Sequence, residues 1–259
     1  MVIGLVMKNI RIIPRLDIKG PNVVKPIQTE ALRVVGKPKE LAWRYYQEGA
    51  DELIYLDIVA SLYQRNINFD LLKSVAENIF IPITVGGGIR SISDINNVLR
   101  SGADKVAINT YAVKQPDFLS EAVREFGSQC VVLYVEAKKQ SNGGYEVYTD
   151  GGREKTGLEV ISWIKKAINL GVGEILLTSV DKDGTRRGYD IELLKKVGSF
   201  SPIPLIAHGG AGNLSSLKEA VLDAKADALG ISSVFHYNDF SIAQVKNFLA
   251  KSDINVRII

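Results

Sequence analysis

The chain has 259 residues, 46% hydrophobic and 24% charged, and carries a net charge of +3. That is the composition of a globular domain with a sizeable core, and the interspersed acids and bases leave neither a nucleic-acid footprint nor a polybasic membrane patch. A single cysteine, Cys130, rules out an internal disulfide framework and fits a cytoplasmic setting, and no run approaches the roughly 18 apolar residues of a membrane span.

Residues 1–7, MVIGLVM, are apolar without the charged leader and cleavage site of a signal peptide, and are expected to run into the first strand. From there apolar, β-branched runs alternate with amphipathic stretches eight times, the signature of βα units and a parallel sheet. Strands are predicted over 10–18, 53–59, 83–85, 105–109, 131–137, 175–180, 205–208 and 228–232. Helices are predicted over 38–48, 69–78, 91–100, 116–125, 157–170, 191–198, 214–224 and 241–251. Pro38 and Pro116 suit first helical turns, and Gly49, Gly102, Gly127 and Gly171 suit helix ends.

The stretch IPITVGGGIRS at 81–91 returns as IPLIAHGGAGN at 203–213, with Pro82 and Pro204, and Gly88 and Gly210, each 122 positions apart. Eight strands, eight helices and this repeat predict one domain over 1–259, an α/β fold of the (β/α)8 TIM-barrel type with a twofold internal half-barrel repeat. A doubly wound sheet explains the repeat less well, and no GxGxxG follows the first strand. Two long connections, 20–37 and 138–156, are expected to be loops covering the site.

Residues at strand C-termini face the site of a barrel. Those ends are Asp17, Asp57, Thr84, Asn109, Glu136, Thr178 with Asp181 and Asp183, His208 and Ser232. Asp17 closes the first strand and Glu136 the fifth, so they should oppose each other across the mouth and divide general acid and base roles if their pKa values separate. The plainer reading pairs each with a neighbouring lysine, Lys19 or Lys138. The glycines of GGGIRS and HGGAGN allow close backbone approach to a phosphate at a helix N-terminus, or merely make tight turns; two such motifs favour a bisphosphorylated ligand. His208 is placed to touch substrate, His236 to cap or pack, and Cys130 to be a buried structural thiol. No Cys/His cluster calls for a metal. At the opposite ends of the strands, Arg11, Glu52, Lys105 and Glu174 can form a salt-bridged ring, ordinarily read as stability.

The segments RIIPRLDIKG, GADELIYLDI, IPITVGGGIRS, GADKVAINT, FGSQCVV, GGREKTG, GEILLTSVDKDGT, GYDIEL, HGGAG and SVFH resemble the cyclase subunit of imidazole glycerol phosphate synthase, of histidine biosynthesis, over residues 8–257. The resemblance implies a barrel that takes ammonia from a glutaminase subunit docked on its bottom face. It implies condensation of that ammonia with a bisphosphorylated ribulosyl aminoimidazole-carboxamide nucleotide, giving imidazole glycerol phosphate and a purine precursor, with no cofactor. It carries the acid/base pair to Asp17 and Glu136. The phosphate sites fall on Gly88, Asn109 and Thr110 in one half, and on Gly184, Gly210, Ser232 and Ser233 in the other. Beside these, Lys25, Thr178, Asp183, His208 and Gly209 are expected to complete the substrate-binding set, and the resemblance turns the ring of Arg11, Glu52, Lys105 and Glu174 into an ammonia gate.

The chain departs from the family's pattern around one site. Glu136 stands where aspartate is usual, Arg15 where cysteine is usual and His208 where serine is usual. The segment EALRVVGKP lacks an aspartate after the arginine and another before the proline. Arg15 is expected either to fill the barrel or to pair with Asp17 and lower its pKa. Two functions follow: the histidine-pathway cyclase, or a paralogous barrel that docks a glutaminase and channels ammonia to a sugar amidotransferase in surface-polysaccharide biosynthesis.

Overall fold

A computed structural model describes residues 8–27 and 30–258; the expectation for residues 1–7 lies outside them. The strands are β1 (Arg11–Lys19), β2 (Asn22–Ile27), β3 (Glu30–Gly36), β4 (Leu53–Asp57), β5 (Ile83–Gly86), β6 (Lys105–Ile108), β7 (Val131–Lys139), β8 (Tyr145–Thr149), β9 (Glu154–Glu159), β10 (Glu174–Ser179), β11 (Leu205–His208) and β12 (Ala228–Ile231). Eight of them pair in parallel in the order β1, β4, β5, β6, β7, β10, β11, β12, and β12 closes on β1. This is the predicted (β/α)8 barrel. Because β1 and β7 lie four strands apart in either direction, the ends that carry Asp17 and Glu136 face each other.

The strands are buried on both faces, as parallel strands under a helical coat must be. One set of side chains packs outward against the helices. The alternate set, including Ile13, Ile54, Val132, Leu176 and Ile206, fills the bore with a dry apolar layer. Among the described residues eight helices of eight to ten residues cover the outside; side chains of Ser91, Asn213 and Ser241 cap three of them, the last through a capping box with Gln244. Among the described residues no helix is long and apolar enough to cross a membrane.

Four local expectations are corrected. The segments after the first and fifth barrel strands are not loops: β2–β3 and β8–β9 are antiparallel hairpins that extend β1 and β7 above the mouth. The helix expected from 157 starts at Val160, because Glu154–Glu159 pairs with β8 and Glu159 then caps the helix through Ile161 N and Ser162 N. Pro116 is the N-cap of Asp117–Phe126 rather than a first-turn residue. Short helices, Thr110–Lys114 and Ser233–His236, follow β6 and β12 at matching places in the repeat.

Candidate active site

Strand parity builds the site. Residues two apart on a strand share a face, so Arg11, Ile13, Arg15 and Asp17 climb the inside of the barrel on β1, while Val132, Tyr134 and Glu136 climb it on β7. Asp17 is fully buried, and its carboxylate accepts from Arg15 Nε (2.8 Å) and Lys25 Nζ (3.2 Å). Lys25 also donates to Asp183 Oδ1 at 2.8 Å. Burial pushes the Asp17 carboxyl upward, but Arg15 and then Lys25 outweigh it and leave Asp17 below the ordinary aspartate value. Asp17 is therefore an anion at neutral pH, and its partners are not Lys19.

Glu136 meets a different environment. Its Oε1 accepts from Tyr134 Oη (3.0 Å), and its Oε2 accepts from Asn109 Nδ2 (2.9 Å) and Gly152 N (3.1 Å). The amide at 152 is delivered by the β8–β9 turn, where Asp150, Gly151 and Gly152 take φ values of 53°, 72° and 75° in succession. Two of the three are glycine, the residue that adopts this conformation without a steric penalty. Among the described residues no cation bonds Glu136 directly, so burial dominates and pushes it up to about 7, against the Tyr134 bond and the more distant Arg15 charge. The two carboxylates thus differ in state, one anionic and one able to carry a proton near neutrality.

Between them lies a polar layer that closes the bore. Arg15 fills the barrel and pairs with Asp17 at once, so both alternatives expected of it hold. Its guanidinium also donates to Thr178 Oγ1 (3.0 Å), His208 Nδ1 (3.0 Å) and Tyr134 Oη (3.3 Å). Because Arg15 donates to Nδ1, and because burial and then Arg15 and Lys25 hold His208 well below its ordinary pKa, the imidazole is neutral and protonated on Nε2. That N–H lies 3.3 Å from Ser232 Oγ. His208 therefore contacts the second-half site, while His236 packs behind it against Tyr45 (Oη to Nδ1, 2.6 Å).

The first-half candidates Gly88, Asn109 and Thr110 line an open cavity of about 260 Å³ that reaches Tyr134 and Glu136. Thr110 Oγ1 accepts from Asp150 N, and Asn109 bonds Glu136 and the Tyr148 carbonyl. Asn109 is thus tied to the carboxylate in addition to lining the cavity. The second-half candidates Lys25, Asp183, Gly184, His208, Gly209, Gly210, Ser232 and Ser233 come together around only about 10 Å³. Thr178 lies lower, against Arg15. The glycines are required by space: a β-carbon at Gly88 would stand 2.5 Å from Arg65 O, and one at Gly210 would collide with the Gly188 carbonyl.

At the far end, all four ring residues meet. Arg11 donates to Glu52 (2.7 Å) and Glu174 (2.6 Å), and Lys105 donates to the same two carboxylates at 3.0 and 2.9 Å. Burial lowers the Arg11 pKa, but Glu174 and Glu52 more than reverse that.

Sequence reasoning missed Tyr134. The signal was available, since it precedes Glu136 by two positions as Arg15 precedes Asp17, but an unbroken apolar run conceals which residues point inward.

Fold and geometry together define a half-repeated (β/α)8 barrel with a carboxylate-lined mouth and a charged ring below. A family model for the histidine biosynthesis protein matches residues 11–241. The chain is 59% identical over 208 residues to the imidazole glycerol phosphate synthase subunit HisF of Legionella pneumophila, spanning 80% of this chain and 98% of that protein. It is 47% identical over 247 residues to the subunit of the same name from Alkaliphilus metalliredigens (strain QYMF), spanning 95% and 98%. The chain belongs to the histidine biosynthesis protein family.

Proposed function

We propose that the chain is the cyclase subunit of an imidazole glycerol phosphate synthase, taking ammonia from a partner glutaminase subunit and closing the imidazole ring of a bisphosphorylated ribulosyl aminoimidazole-carboxamide nucleotide. The observation that carries this reading is the pair of opposed, buried carboxylates in different protonation states, set between two glycine-turn sites. Adding ammonia to a carbonyl and closing a ring both need a proton delivered at one atom and removed at another. Glu136, near its midpoint at neutral pH, is the donor; Asp17, held anionic, is the acceptor once Lys25 turns from it to a ligand phosphate. The common name of both relatives favours the cyclase over a conduit to a sugar amidotransferase.

The ring of Arg11, Glu52, Lys105 and Glu174 is the proposed ammonia gate. Four mutually bonded charges at the bottom of the bore admit a small neutral molecule only when a side chain swings out. Lys105→Ala should lower glutamine-driven product formation while sparing turnover with ammonium salts; equal loss with both nitrogen sources would defeat the gate.

The test of the function supplies the purified chain with the bisphosphorylated nucleotide and excess ammonium salt at alkaline pH. Formation of imidazole glycerol phosphate is expected. Folded chain that binds its glutaminase yet forms none would make the barrel an ammonia conduit for another acceptor.

A further inference from the structure

Three of the residues that depart from the family's pattern, Arg15, His208 and Glu136, are joined in one hydrogen-bonded cluster by Tyr134, which no motif pointed to. We propose that Tyr134 is a positioning residue that sets the protonation of Glu136 and, through Arg15, ties it to Asp17. Only in treating Glu136 as the proton donor does this rest on the function above.

The argument is one of donor and acceptor inventory. Asn109 Nδ2 is fixed as a donor because it also serves the Tyr148 carbonyl, and Gly152 N can only donate. Of the three groups bonded to Glu136, the Tyr134 hydroxyl alone can both donate to the carboxylate and accept from the acid. Arg15 Nη2 occupies one lone pair of that oxygen and directs its proton to Glu136 Oε1. Burial raises the Tyr134 pKa well above its ordinary value, so the phenol keeps its proton. The Arg15 guanidinium also stands over the Tyr134 ring, 5.4 Å from its centroid, which holds the pair together. The other charged groups facing this point are Asp17 on β1, Asp150 in the β8–β9 turn, and Asp183 and Arg153, which with Tyr134 and Glu136 line a separate cavity of about 20 Å³.

The experiment titrates Glu136 directly in the ligand-free chain by carboxyl carbon NMR, so its outcome does not depend on the substrate. In Tyr134→Phe the midpoint should rise by about one pH unit, the effect of losing one hydrogen bond to a charged group. Should that variant fail to fold, 3-fluorotyrosine incorporated at position 134, a stronger donor of the same shape, should move the midpoint down. The alkaline limb of the ammonium-driven pH profile, where the donor loses its proton, should follow the same shifts. An unchanged midpoint in Tyr134→Phe, or in the fluorinated protein, would overturn the proposal. So would a midpoint that moves in Arg15→Gln but not in Tyr134→Phe, which would assign the effect to the Arg15 charge alone.

Discussion

The two halves of the barrel share a backbone and differ in what fills it. Asn109, after β6, has φ −122° and ψ −86°; Ser232, after β12, has −118° and −78°, and each opens a short helix. The glycine pairs Gly87–Gly88 and Gly209–Gly210 all take positive φ. Yet the first half holds a cavity of about 260 Å³ and the second about 10 Å³. The repeat shows why: Gly86 and His208 are 122 positions apart and occupy equivalent strand ends, one without a side chain and one with a buried imidazole. Lys25 and Asp183 fill the rest of the second half. At the bottom the two halves share only the acids: Glu52 and Glu174, also 122 apart, each accept from both Arg11 and Lys105, and both cations come from the first half. The backbone is common to both halves, and the asymmetry of the mouth comes from a few side chains that put a protonatable acid on the open side and a locked anion on the closed one.

The largest effect should come from the open side. Glu136→Gln keeps the shape and removes the titrating proton, so ammonium-driven turnover should fall by about 10²–10⁴-fold while binding of the bisphosphate changes little; steady-state kinetics and calorimetry measure the two. Unchanged turnover would remove Glu136 from the mechanism.

The next effect separates the halves by pH. Glu136 is raised from 4.5 to about 7, so the native state holds its proton longer than the unfolded chain, and stability falls as pH climbs from about 4.5 through about 7. That penalty is on the order of 3 kcal/mol, and Glu136→Gln should remove it, making the variant relatively more stable above neutrality. Asp17 has the opposite sign: its depressed pKa adds stability above the ordinary aspartate range, lost as pH falls through its folded value. Urea unfolding from about pH 2 to 8 checks both signs, since the Asp17 window lies below the ordinary aspartate value.

The smallest effect compares the glycine turns. Gly88→Ala and Gly210→Ala each force an L side chain into positive φ against a carbonyl, costing about 1–2 kcal/mol and on the order of tenfold in bisphosphate affinity. A loss confined to one variant would mean that only one half binds phosphate.

Much of this was legible in the sequence because glycine and strand-end residues carry their meaning locally. The repeat, the barrel, the opposed carboxylates and the ring follow from spacing alone. What was hidden depends on contacts across the barrel. Asn109 reads as an anion-site residue but bonds Glu136, a link that needs the β6–β7 register. Tyr134 lies in a doubly buried strand whose pattern does not reveal which face turns inward. The hairpins at β2–β3 and β8–β9 read as loops because their strands are short and interrupted by polar residues and glycines, and pairing with β1 and β7 rather than propensity makes them strands.

The most direct test of the account is a crystal structure of the chain with the bisphosphorylated nucleotide bound. One phosphate should sit at Gly88 and Thr110 and the other at Gly210 and Ser233, with Lys25 withdrawn from Asp17 toward the second phosphate. Both phosphates in the open half, with Lys25 still bound to Asp17 and Asp183, would contradict it.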